Sequence, residues 1–206
     1  MDWETLIRAQ PELAAFPAEL RRRAADIVVA AGETLFRLGE RPRRMLWVIT
    51  SEVRLVRRSR NGAEIVLQRA NSGFVAEASL DSPRYHCDAV AATEGRSLGL
   101  PIEPFREALR SDEVFRTFWM QRLAREVRAL RAQSERLSLR SAADRVVHYI
   151  ESEGRDGRLE LRRTRKAWAA ELGLTHEALY RALAGLRRAG RISSAEAGGA
   201  LVLTLR

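Results

Sequence analysis

The sequence is poor in the residues that crosslinking and most catalysis need. One cysteine, Cys87, occurs in 206 residues, which excludes an intramolecular disulfide and any iron–sulfur cluster or zinc ribbon ligated by several cysteines of one chain. Histidine is nearly as scarce, at three. No paired carboxylates, nucleophile–base pair, metal-ligand cluster or phosphate-cradling glycine loop can be assembled at sensible spacing, so the chain does not read as an enzyme and no metal is expected. Runs of about 18 apolar residues are lacking, and the opening "MDWETLIRAQPELAAF" has an acid second and no apolar stretch of signal-peptide length. Secretion and membrane spanning are disfavoured, and a cytoplasmic protein is expected. Lysine is also almost missing, Lys166 being the only one among 36 basic residues.

What is present is arginine. Formal net charge is +9, which brings anionic partners such as nucleic acid or a membrane surface into consideration, although an arginine bias of this kind also follows from a GC-rich genome. Distribution is more telling than total. From Arg140 to Arg206 there are thirteen basic against eight acidic side chains, a net of +5 in a third of the chain. The length suits two small domains, each with its own core.

Periodicity divides the chain. Residues 1 to 28 read as helical, with Leu6, Leu13, Phe16 and Leu20 recurring among charges. From Ala30 to about Leu100 short alternating segments punctuated by glycine follow: "GETLFRLGE", "MLWVIT", "EVRLVRRS", "EIVLQRA" and "AVAATEGRSLGL". Alternation is clearest at Val53 and Leu55 and at Ile65 and Leu67, with Asn61-Gly62 between them as the preferred dipeptide of a tight hairpin turn. A small antiparallel sandwich or barrel is implied. After Pro101 the pattern becomes helical, Pro104 suiting a first helical turn. A long helix is expected from roughly Asp112 to Leu137, carrying Met120, Leu123, Val127, Leu130 and Leu137 at spacings of three and four. So narrow a stripe among arginines suits pairing with a second copy in a parallel homodimer; the other reading is a helix lying on its own domain. "LSLRSAADRVV" then breaks the stripe, with Ser141 as N-cap of a new helix and Asp156-Gly157 as a turn into the short strand "RLELRR". The expected division is 1–110, 111–139 and 140–206.

The stretch "RKAWAAELGLTHEALYRALAGLRRAGRI" carries the clearest motif. Ala169 is small, and Gly173 four residues later supplies the positive φ and close approach that two helices joined by a tight turn require. Thr175 can cap the second helix, Glu177 suits its first turn, and Gly190 can end it. Leu179, Ala182, Leu183 and Leu186 share one face, leaving His176, Glu177, Tyr180 and Arg181 on the other. That is the division a recognition helix needs: an apolar face to pack, and a polar face at the N-terminus to read bases. Arg181 can donate to guanine O6 and N7, and Glu177 can accept from cytosine N4. "RISSAEAGGALVLTLR" alternates around Gly198-Gly199 as a closing hairpin, or wing. Candidate phosphate contacts are Arg163, Arg165, Lys166, Arg187, Arg188 and Arg191.

With these segments in order, the sequence resembles the Crp/Fnr family of bacterial transcription regulators over nearly its whole length. "AGETLFRLGE" is similar to the opening of the family's β-roll, and "LGLTHEALYRAL" to its Gly-x-Thr/Ser-x-Glu-x-x-Ser/Gly-Arg recognition segment. The resemblance implies an α+β architecture: an N-terminal antiparallel β-roll similar to the cyclic-nucleotide-binding fold, a long dimerisation helix and a C-terminal winged helix-turn-helix. It implies a homodimer on a palindromic double-stranded DNA site, and RNA polymerase as a partner if the protein activates. Glu177 and Arg181 carry over as base readers, with His176 at a third contact position and Tyr180 where the family has Ser or Gly.

The resemblance departs in "GFVAEASLDSPRYHCDAVAA", which is similar to the family's phosphate-binding cassette. Glu77 matches, but Ala76 replaces a glycine, and His86-Cys87 stand where Arg and Ser or Thr hold the cyclic phosphate and ribose. Without that arginine the phosphate loses its bidentate partner, which argues against cyclic AMP sensing of the usual kind. The family's Ser-Gly pair is likewise changed, to Ser51-Glu52. Glu77, His86 and Cys87 remain as effector-pocket candidates, with no cofactor or effector assignable. Adjacent residues on a strand face opposite ways, so His86 and Cys87 do not form a metal site together, and Cys87 reads as a buried small residue rather than a redox switch. His148 has no partner identifiable in the sequence. The competing function is a small-molecule-responsive regulatory module acting on protein partners, with the basic C-terminal region as its docking surface.

Overall fold

The computed structural model describes residues 1–58, 64–161 and 164–206; Asn61-Gly62 and Arg163 lie outside the described residues. The fold is mixed α and β, with antiparallel sheets. Two compact units are present, Met1–Leu123 and Ala124–Arg206, and the division falls within one long helix.

In the first unit, helix α1 (Trp3–Ala9), a 3-10 turn over Pro11–Ala15 and helix α2 (Ala18–Arg23) precede strand β1 (Ala25–Val29). The helical reading of residues 1 to 28 therefore overran by several residues. Ile27, Val28 and Val29 are β-branched, and they extend to pair with the strand β8 (Gly95–Pro101) rather than continue the helix. Between them lie β2 (Thr34–Phe36), β3 (Arg44–Val48), β4 (Val53–Arg58), β5 (Glu64–Ala70), β6 (Gly73–Val75) and β7 (Asp88–Ala91). Two four-stranded antiparallel sheets result, ordered β1-β8-β3-β6 and β2-β7-β4-β5. Pairing between β4 and β5 slips at Leu55/Val56, so that Val66 rather than Leu67 lies opposite Val56. Ile65 and Leu67 lie on the solvent side of β5, at 49% and 39% exposure, with Val66, Gln68 and Ala70 on the other face.

Aromatic side chains hold this unit together. Eight of the thirteen in the sequence, Trp3, Phe16, Trp47, Phe74, Phe105, Phe115, Phe118 and Trp119, gather in one cluster with Leu6, Leu13 and Leu20. Phe16 and Phe74 form its centre: the two stack at 5.7 Å, and Trp47, Phe105 and Trp119 meet Phe74 edge-on at 4.8, 5.5 and 5.1 Å between ring centroids. Phe105 belongs to helix α3 (Ile102–Ser111), whose first turn includes Pro104, and Phe115 and Trp119 to helix α4 (Glu113–Ser138). A second cluster, with Phe36, Val53, Leu55, Tyr85, Cys87 and Ala89, fills the space between the sheets.

The second unit contains the rest of α4, helix α5 (Ala142–Glu153), strand β9 (Arg158–Leu161), helices α6 (Arg165–Glu171) and α7 (His176–Arg188), and a hairpin of β10 (Ile192–Ala197) and β11 (Ala200–Leu205). The three strands are ordered β10-β11-β9. Ser141 Oγ accepts from the Asp144 amide and caps α5. Gly198 and Gly199 both take positive φ, 56° and 76°, which is the requirement of a two-residue turn between β10 and β11. Arg136 of α4 is 1% exposed: its guanidinium carbon sits 4.4 Å from the Tyr149 ring centroid, and Nη2 donates to Ser152 Oγ and Glu153 Oε1, each at 3.1 Å. His148 also has a partner, Glu135, at 3.3 Å. Both contacts are tertiary, which is why the sequence showed neither.

Truncating Phe74 to alanine removes the ring against which four others pack, and is expected to destabilise the N-terminal unit by about 3–5 kcal/mol. Denaturant unfolding followed by tryptophan fluorescence measures this; a loss under about 1 kcal/mol would show that the cluster is not the keystone.

Candidate nucleic-acid interface

The turn between α6 and α7 is built by glycine and arginine. Gly173 has φ +63°, and a Cβ there would meet Leu137 Cδ2 at 2.9 Å and Arg145 Nη1 at 3.2 Å. The amide of Leu174 donates to Ala169 O at 2.8 Å and that of Gly173 to Ala170 O at 3.1 Å, closing the end of α6. Arg145 Nη1 donates to the carbonyls of Leu172 and Gly173 at 3.1 and 3.2 Å, taking up acceptors that a helix end leaves bare. Thr175 Oγ1 then accepts from the Ala178 amide at 3.1 Å and starts α7.

The two faces of α7 separate as the sequence pattern predicts. Leu179, Ala182, Leu183 and Leu186 are buried with Trp168, Ala169 and Leu172 of the preceding helix and turn. His176, Glu177, Tyr180 and Arg181 are exposed, and all lie in the first two turns. Glu177 falls where the helix dipole favours an anion. His176 and Tyr180 rings meet edge-on at 4.6 Å.

Basic residues surround this face unequally. Lys166, Arg188 and Arg191 are exposed. Arg187 Nη1 lies 3.3 Å from Ser194 Oγ of β10. Arg165, another candidate phosphate contact, has partners within its own unit. Its Nη1 donates to the Tyr180 hydroxyl at 3.1 Å and its Nη2 to Glu196 Oε1 at 3.0 Å, and these partners hold its pKa above the usual guanidinium range.

On α4, Met120, Val127, Leu130 and Leu137 are 63%, 46%, 52% and 44% exposed. Leu123 differs, leaning on the aromatic cluster of its own unit. The stripe is thus outward-facing at four of its five positions.

The three effector-pocket candidates do not come together. Ala76 keeps the left-handed backbone of a glycine, φ 62° and ψ 36°, and Glu77 follows it in a 3-10 turn. Glu77 is buried and ion-paired with Arg122, whose Nη2 lies 3.0 Å from Glu77 Oε1 and 3.2 Å from Phe74 O. Cys87 is fully buried in the inter-sheet cluster, whereas His86 is exposed; both lie just before β7 rather than on it. These residues include no arginine to pair with a cyclic phosphate, so they do not fit that ligand in the usual manner. Burial pushes the Cys87 thiol above its ordinary pKa, and Asp88 adds to the effect. Among the described residues no group of three or more His, Cys, Asp or Glu could hold a metal ion. A concavity of about 400 Å³ elsewhere on the roll, lined by Leu35, Phe36, Tyr85, Glu40, Arg41, Arg43 and Arg44, was not singled out by any sequence motif.

Residues 26–112 match the cyclic nucleotide-binding domain family. Solved structures extend the likeness to both units, and by them the chain resembles transcription regulators of the Crp/Fnr type. A protein from Silicibacter pomeroyi DSS-3, proposed to be a cAMP-binding regulatory protein, is 25% identical with a TM-score of 0.59, covering 92% of this chain and 90% of its own. FixK2 from Bradyrhizobium japonicum is 23% identical at a TM-score of 0.64, with 89% and 92% covered. A transcriptional regulator of the CRP family from Thermus thermophilus is 23% identical at 0.56, with 87% and 91% covered. Among curated proteins none matches the sequence. The Crp/Fnr-type architecture places the α6–α7 pair in the part of the chain beyond the matched domain, and among the described residues no helix is long and apolar enough to cross a membrane.

Burial and a raised pKa leave the Cys87 thiol protonated and covered at about pH 8. Labelling of the folded protein by a thiol-specific disulfide reagent is expected to be at least tenfold slower than in denaturant. Equal rates would mean that the inter-sheet cluster opens readily and that Cys87 is accessible to oxidants.

Proposed function

We propose that this regulator binds DNA sequence-specifically as a homodimer on a palindromic site, with half-sites about one helical turn apart. One observation carries the reading: the capped N-terminal end of α7 presents four exposed, chemically distinct side chains while its opposite face is locked into the core. In this role Arg181 donates to guanine, Glu177 accepts from cytosine, and His176 and Tyr180 complete the base-facing set. Lys166, Arg187, Arg188 and Arg191 contact phosphates, with Arg163 a further candidate from the sequence. Residues 140–206 act as the DNA-binding domain, 111–139 as the dimerisation helix, and 1–110 as a regulatory roll.

The homodimer forms through Met120, Val127, Leu130 and Leu137, joined at its edge by Leu123. An exposed apolar row on a helix is costly in water and is relieved by an identical row. The roll regulates without a cyclic nucleotide held in the usual way, because Arg122 is paired with Glu77 and His86 stands where the resemblance has the phosphate-binding arginine. If the protein activates, RNA polymerase is its further partner.

Selection of bound duplexes from a random pool, with no ligand added, is expected to enrich a palindrome. Arg181→Ala should then relax preference at one position per half-site and cost about 1–3 kcal/mol there, while Lys166→Ala weakens all duplexes alike and lowers the salt dependence. Equal loss on specific and random duplexes for Arg181→Ala would remove it from the base-reading set. If no sequence is enriched and a folded dimer binds random DNA in a purely salt-dependent way, the roll rather than α7 carries the main recognition.

Leu130→Glu sets two like charges against each other in the proposed pair of α4 helices. The expected result is a shift from dimer to monomer in sedimentation at micromolar concentration, with loss of palindrome binding. A variant that stays dimeric would place the interface elsewhere.

A further inference from the structure

Tyr180 is an unusual residue for the base-facing side of α7, where the family resemblance has a serine or glycine. A phenol on an open helix face has several rotamers available, and freezing one of them opposes binding. Here it is held on more than one side. Arg165 Nη1, at the start of α6, donates to the Tyr180 hydroxyl at 3.1 Å, and the guanidinium carbon lies 5.5 Å from the ring centroid. The His176 ring, one turn earlier on α7, packs edge-on at 4.6 Å. Arg165 is in turn tied to Glu196 Oε1 at 3.0 Å, on strand β10 of the wing. One phenol thus joins α6, α7 and the wing, and stays 39% exposed.

The direction of the hydrogen bond limits what Tyr180 can do. Its oxygen accepts from Arg165, so the O–H remains as a donor, polarised by the neighbouring cation. Cytosine presents a donor at N4, which offers no acceptor to the free O–H. Adenine and guanine present N7 acceptors without an adjoining apolar group. Thymine presents an O4 acceptor beside a C5-methyl, the combination that a donor on an aromatic ring matches.

We propose that Arg165 and Glu196 are positioning residues that hold Tyr180 to read one thymine in each half-site. The inference rests on the DNA-reading role of α7 given above. It moves Arg165 from the phosphate-contacting set to the specificity machinery, and gives Glu196 a function without any contact to DNA. The Glu196 carboxylate is largely exposed, so its part is to aim the guanidinium rather than to add stability.

The test uses the full-length protein and its selected palindrome, with each thymine of the half-site replaced in turn by deoxyuridine, which removes only the methyl group, and by cytosine. At one position wild type should bind deoxyuridine about fourfold more weakly per half-site, the effect of one buried methyl. Tyr180→Ala should lose that discrimination while keeping the preferences set by Glu177 and Arg181. Arg165→Gln should bring the thymine-to-deoxyuridine ratio at that position below about twofold, with Glu196→Gln changing it in the same direction. Tyr180→Phe keeps the ring but not the gripped hydroxyl, and combining it with Arg165→Gln should add nothing to either alone. Uniform weakening on every duplex by Arg165→Gln, with the ratio unchanged, would overturn the proposal and return Arg165 to the phosphate contacts. Preferences at other bases with no Tyr180-dependent thymine would overturn the thymine assignment alone. A wild-type protein without any base preference would overturn the DNA-reading role itself.

Discussion

The aromatic cluster around Phe74 is the constraint from which the rest of the N-terminal unit follows. Its rings come from the segment leading into α2, from both β3 and β6, and from α3 and α4, so no one of these elements can move without breaking edge-on contacts near 5 Å. The cluster also decides which side of α4 is free. Phe115 and Trp119 are drawn inward, and the 3.6-residue period then leaves Val114 and Met120 outward, at 68% and 63% exposure. An apolar face is exposed here because a more strongly apolar one is buried beside it.

Arginine does two kinds of work in this chain, and net charge does not distinguish them. Arg145 binds the carbonyls at the end of α6, Arg122 neutralises the buried Glu77, and Arg136 lies under the Tyr149 ring with both Ser152 and Glu153 as acceptors. Their planar guanidinium groups reach several acceptors at once, which a lysine ammonium does less well. Lys166, Arg188 and Arg191 are exposed on the surface. The count of basic side chains therefore does not by itself say which of them face solvent.

The segment similar to a ligand cassette combines a left-handed turn at Ala76 with two buried side chains, Glu77 and Cys87, and one exposed one, His86. Ala76 retains a left-handed conformation that glycine adopts more easily, and Glu77 retains its place, but the carboxylate is occupied by Arg122 and Cys87 packs among Phe36, Leu55 and Tyr85. Packing of this segment depends on shape and burial, whereas ligand binding would depend on a few charged groups, so the fold alone does not decide what the roll binds.

By itself the sequence determined the order of elements, the turn at Gly173, the caps at Ser141 and Thr175, the two faces of α7 and the narrow row on α4. Each of these is local, written in the spacing of apolar residues and in residue types that only certain backbone angles accept. Even locally it misread the end of the first helical segment, where strand pairing overrode propensity. Only the tertiary structure decided which charges are free. That Arg165 grips Tyr180, that Arg122 closes over Glu77, and that His148 finds Glu135 depend on residues 13 to 45 positions apart, brought within 3.3 Å by packing that no local pattern encodes.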